Sequence, residues 1–150
     1  MPDTADPPHH DRLPSLEHAS VADAMHPGIL TCRADAPLTD VARMMTTHRV
    51  HAVAVMDIAR DRAGESLVWG IVSDLDVIRA GIRAGADDTG RTLAKQAIIS
   101  VTPTTSLREA SELMLTHGVS HLVVIAPESQ RPVGILSTFD VAAVLAWGHD

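Results

Sequence analysis

The chain has 150 residues, 45% of them hydrophobic, and a formal net charge of −7 from 12 basic and 19 acidic residues. That composition suits one compact unit or two small ones sharing a core, and it opposes nucleic acid, whose phosphates demand clustered cations. Trp69, Trp147 and Phe139 are the only aromatic residues, too few to stack single-stranded bases, and no apolar run is long enough to span a membrane.

In chain order, residues 1–14 carry Pro2, Pro7, Pro8 and Pro14 among polar residues and read as a flexible arm. The opening also lacks the basic start and apolar core of a secretion signal, so the expected location is cytoplasmic. A short apolar run, Gly28–Cys32, ends in a Pro-containing turn and predicts a first strand. Leu38, Val41, Ala42 and Met45 then sit at i, i+3, i+4 and i+7, the spacing of an amphipathic helix. Two β-rich runs follow, Val50–Met56 and Leu67–Val72, separated by a charged loop at Ile58–Ser66. A second helix is expected over about Asp74–Ala84.

The same order then returns. Leu38, Met45, His48, Val50 and Val55 recur as Leu107, Met114, His117, Val119 and Val124. Ile98–Val101 predicts a strand, Leu107–Met114 a helix, Val119–Ile125 and Pro132–Leu136 two strands, and Thr138–Trp147 a closing helix. The chain is thus β-α-β-β-α written twice, with units expected at 15–86 and 87–148. The predicted fold class is α/β (α+β). One such unit buries too little alone, so the two copies are expected to pack sheet to sheet about a pseudo-two-fold axis, leaving a cleft where ligands bind.

The sharpest repeated feature is Gly70-Ile71-Val72-Ser73-x-x-Asp76-Val77 and its copy Gly134-Ile135-Leu136-Ser137-x-x-Asp140-Val141. It closes a strand and opens a helix. The Gly permits close approach of backbone or ligand. The helix start offers unpaired N–H groups to a phosphate, and the carboxylate can accept two hydrogen bonds from a ribose diol. Ser-x-x-Asp is equally a capping box, in which Ser and Asp satisfy the helix start.

At these residues the chain resembles the tandem CBS domain pair, or Bateman module, over about residues 20–146. Val50-His51-Ala52-Val53 and Val119-Ser120-His121-Leu122 match the family's entry to the second strand. Val21–Met25 and, more loosely, Leu93–Ala97 resemble its short lead-in segments. The resemblance implies a regulatory module that binds an adenosine-containing ligand such as AMP, ADP, ATP or S-adenosylmethionine and requires no cofactor. It implies one site built from Ser137, Asp140, Thr31, Val50 and His51. A pseudo-symmetric site would use Ser73, Asp76, Ser100, Val119, Ser120 and His121. The family often places Arg before the motif Asp, where Leu75 and Phe139 stand here, and after the strand-entry His, where the positions are Ala52 and His121. These departures favour a monophosphate or an uncharged-tail adenosine compound over a polyphosphate. The resemblance also implies a homodimer and an effector protein reached in trans. The alternative is a structural dimerisation module with empty clefts.

Other features carry simpler readings. His48 and His117 fall at helix ends, where imidazolium complements the dipole. Cys32 stands alone, which excludes an internal disulfide and suits a small core residue, though a redox or metal sensor using it and nearby histidines is a weaker alternative. No nucleophile elbow, phosphate loop or His-Glu-x-x-His motif is present, so no enzyme activity is expected.

Overall fold

The computed structural model describes residues 16–57, 67–84, 87–94 and 98–148. Its elements are α1 (Val21–Ala24), β1 (His26–Pro27), β2 (Thr31–Arg33), α2 (Leu38–His48), β3 (Ala52–Asp57), β4 (Leu67–Ser73) and α3 (Asp74–Ile82). The second half comprises α4 (Gly90–Leu93), β5 (Ser100–Val101), α5 (Leu107–His117), β6 (His121–Ile125), β7 (Pro132–Ser137) and α6 (Thr138–Trp147). The repeated α/β order predicted from sequence is present. The predicted arm at 1–14, and the inserted residues at 58–66, lie outside the described residues.

The amphipathic helices bury the expected stripe. Val41 and Met45 of α2 face the first core, and Leu107, Ala110 and Met114 of α5 face the second. Each helix stops at a residue in the left-handed conformation, Arg49 (φ 53) and Gly118 (φ 63). Val50 and Val119 then donate their N–H groups to Met45 and Met114 respectively, turning the chain into the next strand.

Two sheets result. One has the order β2-β3-β4, with β2 parallel and β4 antiparallel to β3. The other has four strands, β1-β7-β6-β5, because β1 from the first half joins the second half's sheet. Ala52, Ile71 and Val123 are buried together between the sheets, with Ile29, Ile98 and Ile125 around them, so the sheets do pack face to face.

The sequence reading missed that the lead-in segments cross over. Ala19 and Val21 belong to the second half's core beside Val101, Leu107 and Leu136, and the N–H groups of Val21 and Ala22 donate to Thr105 and Pro103. In return, Leu93 of α4 is buried with Cys32, Val41 and Val53 of the first half. The crossover explains the motif glycines. A Cβ on Gly134 would stand 2.5 Å from the His26 carbonyl oxygen, and one on Gly70 would stand 2.8 Å from the Ala94 Cβ. Each glycine admits the other half's lead-in, a closer approach than any side chain allows.

Three boundaries differ from expectation. The first strand begins at Thr31 rather than Gly28, because His26 and Pro27 are already paired to β7 and Gly28 donates to Val133. The strand at Ile98–Val101 shortens to Ser100–Val101. The second lead-in helix forms at Gly90–Leu93, upstream of the expected Leu93–Ala97, where Thr89 starts it and Thr92 accepts from the Thr89 N–H. Residues 95–97 lie outside the described residues.

Candidate functional site

A cavity of about 480 Å³ opens between the halves, a size that suits a small-molecule ligand. One wall is His26–Leu30, a second is His48–Ala52 at the start of β3, and a third is His121, Ile135, Ser137, Phe139 and Asp140. Both halves therefore contribute, as the repeat predicted. A second hollow of about 420 Å³ lies between α2 and α3 and shares Arg49, Val50 and His51 with the first.

The Ser-x-x-Asp motif performs its capping role in both copies. Ser73 accepts from the Asp76 N–H at 3.3 Å, and the Asp76 carboxylate accepts from the Ser73 N–H at 2.8 Å. Ser137 and Asp140 repeat the exchange at 3.1 and 2.8 Å. Capping uses one carboxylate oxygen in each case. The other oxygen differs between the copies. In Asp140 it lies 2.8 Å from Nδ1 of His26, delivered by the crossed-over β1. In Asp76 it lies 3.4 Å from the Arg79 guanidinium on its own helix. Both carboxylates are buried, and His26 and Asp140 both line the cavity, so a ligand there can reach their contact.

The histidines divide by environment. His51 Nδ1 meets Asp74 at 2.9 Å, an exposed pair of small energetic weight. His121 is buried, and its Nδ1 lies 2.8 Å from the Ser120 hydroxyl. Burial holds the His121 imidazole below its ordinary pKa, and this outweighs the opposing pull of Asp74 and Asp140. His48 ends α2 and His117 ends α5, as expected. Burial likewise raises the Cys32 thiol pKa, which disfavours the reactive thiolate. Among the described residues no group of three or more His, Cys, Asp or Glu side chains is placed to hold a metal ion, and no helix is long and apolar enough to cross a membrane.

Of the first predicted site, Val50, His51, Ser137 and Asp140 line one cavity; Thr31 is not among its lining residues and stands exposed on β2, paired with Ala54. Of the second, Ser73, Asp76 and Val119 are buried, and Ser100 is exposed on β5. Ser120 turns its hydroxyl to His121, and His121 lines the first cavity rather than serving only the second site. Sequence reasoning missed His26, Ile29, Leu30 and Arg49. The missed residues occupy the crossed-over lead-in, the extended residues before β2 and a helix cap, none of which shows a periodic pattern.

The comparisons with known proteins agree with this architecture. Hypoxic response protein 1 of Mycobacterium tuberculosis is 29% identical over 123 residues, covering 80% of each chain. A crystal structure of Hypoxic Response Protein I with two coordinated zinc ions superposes with a TM-score of 0.64 at 26% identity, covering 83% of this chain and 97% of that one. The CBS domain pair of protein MJ0100, solved with 5-methylthioadenosine and S-adenosyl-L-methionine, gives 0.71 at 16% identity over 85% of this chain and 96% of that one. The CBS domain protein PAE2072 from Pyrobaculum aerophilum, complexed with AMP, gives 0.66 at 24% identity over 81% and 88%. The family model for the CBS domain matches twice, at residues 21–83 and 91–146, so the chain belongs to the CBS domain family as a tandem pair.

Proposed function

We propose that the cavity between the halves binds an adenosine-containing ligand and that its occupancy regulates a partner in trans. The observation that carries this reading is the meeting of Ser137 and Asp140 from the second half with Val50 and His51 from the first around one cavity. The apolar wall of Ile29, Leu30 and Val50 suits an adenine face, and the outer oxygen of Asp140 suits a ribose diol once His26 yields it. The adenosyl ligands of MJ0100 and the AMP of PAE2072 support the ligand class. The pseudo-symmetric set, Ser73, Asp76, Ser100, Val119, Ser120 and His121, forms the second site of the proposal.

Thermal denaturation with AMP, adenosine, ATP and S-adenosylmethionine in turn tests it. A ligand at 100 times its Kd adds about 2.7 kcal/mol and raises the midpoint by about 5–10 °C. Asp140→Ala removes most of that rise, and a further loss in Asp76→Ala would mark the second site as filled. No rise with any of the four at millimolar concentration overturns the reading.

A second reading has its own support. Both motif carboxylates already have partners, and α3 and α6 leave Leu75, Ile78, Ile82, Phe139 and Trp147 exposed. A dimerisation module with empty clefts would need only those faces. Sedimentation of Ile78→Glu and Trp147→Glu separates the two: loss of a dimer, with no ligand response in the parent chain, favours the second reading.

A further inference from the structure

We propose that Arg49 is the phosphate-binding cation of the cavity, and that its ligand is a nucleoside monophosphate rather than an uncharged adenosine compound. The proposal rests on the adenosyl reading of the cavity and names the charge that reading leaves open.

Arg49 is the one guanidinium, and Asp140 the one carboxylate, among the described residues that line the cavity. None of the other arginines among the described residues lines the cavity, and four of them already meet carboxylates: Arg33 meets Asp35, Arg43 meets Asp40, Arg79 meets Asp76, and Arg108 meets Glu17 and Glu112. Arg49 meets no carboxylate within ion-pair distance among the described residues, although it stands where the main cavity and the hollow beside it share a wall. Neither acidic group of the two hollows is paired with it: Asp140 accepts from its own helix start and lies beside His26, and Asp74 lies beside His51.

Its backbone adds a second observation. Arg49 caps α2 at φ 53 and ψ 46, the conformation that Gly118 adopts at the same place in the second copy at φ 63 and ψ 34. A residue with a side chain is disfavoured there relative to glycine. The cap itself needs only the backbone N–H, which donates to Met45. The side chain therefore adds nothing that the cap requires, while placing five donors at the cavity wall in a fork that fits two phosphate oxygens. Helix-end electrostatics is the competing role, and His48 already occupies the last turn of α2.

Calorimetric titration of the full chain with AMP and with adenosine tests the proposal. A charge-assisted pair corresponds to about ten- to hundredfold in affinity, so AMP binds at least tenfold tighter than adenosine. Arg49→Gly abolishes that ratio, brings AMP to within about twofold of adenosine, and does not lower the thermal midpoint. Arg49→Lys keeps part of the preference, and Arg49→Gln gives the same loss as glycine should the shortened cap alter folding. Arg49→Gly retaining the AMP preference overturns the proposal, as does a wild-type chain that binds adenosine as tightly as AMP; in both cases the adenosyl reading of the cavity stands. Binding of neither compound to the wild-type chain overturns that reading and this one together.

Discussion

Replacing Gly134 by Ala and Gly81 by Ala makes the same chemical change with opposite expected signs. At Gly134 the added Cβ would lie 2.5 Å from the His26 carbonyl oxygen and 3.3 Å from the Met25 sulfur. The first obstacle is backbone, held in register by the pairing of His26 with Ile135 and Pro27 with Gly134, so β1 must move by nearly an ångström. Overpacking of this kind costs about 1–3 kcal/mol, and in a chain of this size lowers the melting midpoint by about 2–10 °C. Because His26, Pro27 and Gly28 form a wall of the cavity, the ligand response weakens as well. At Gly81, on the exposed side of α3, the added Cβ meets nothing within 4 Å. The gain in helix propensity is about 0.5–1 kcal/mol, and the midpoint rises by a few degrees. Thermal melts followed by far-UV circular dichroism measure both. A Gly134→Ala chain that melts at or above the wild type would refute the pairing of β1 with β7, and with it the crossover of the lead-ins.

Two further outcomes follow from buried titratable groups. Burial lowers the His121 pKa in the folded chain from its ordinary 6.5, so the unfolded chain binds the proton first as pH falls. The stability this contributes is full above about pH 6.5 and is lost as pH drops below it; His121→Gln flattens the urea-denaturation profile over that interval, and an unchanged slope would dismiss the assignment. Cys32 is 6% exposed with its thiol pKa raised, so a thiol reagent labels the native chain slowly and the denatured chain fast; equal rates would contradict its burial.

The repeat and the motif were legible because both are matters of spacing. Val41 with Met45, and Ala110 with Met114, are buried where helical periodicity puts them, and Ser73 with Ser137 begins a helix in both copies. Periodicity could not assign partners to segments too short to have any. His26 and Pro27 form a two-residue strand whose place is decided by the space above Gly134, a tertiary fact. The Gly was read as a point of close approach, which it is; what approaches, the opposite lead-in, was not readable. Arg49 carries no sequence signal for its place, because a left-handed helix cap is ordinarily marked by Gly or Asn. The family resemblance puts Thr31 in the site, on a first strand that the sequence predicts from Gly28. With Gly28 drawn to Val133, the cavity wall is instead Ile29 and Leu30.

The crossed lead-ins also govern how the chain can be made and cut. β1 finds its partner more than a hundred residues later, at Gly134 and Ile135, so this pairing cannot form until nearly the whole chain has been synthesised. Closing a loop of that length costs chain entropy, and such long-range pairings slow folding in general. Division at the midpoint would strip each half of its neighbour's cover, leaving Leu93 on one fragment while Cys32, Val41 and Val53, which it buries, stay on the other. Each copy therefore completes the other's core, and β1 ties a segment of the first half into the second half's sheet.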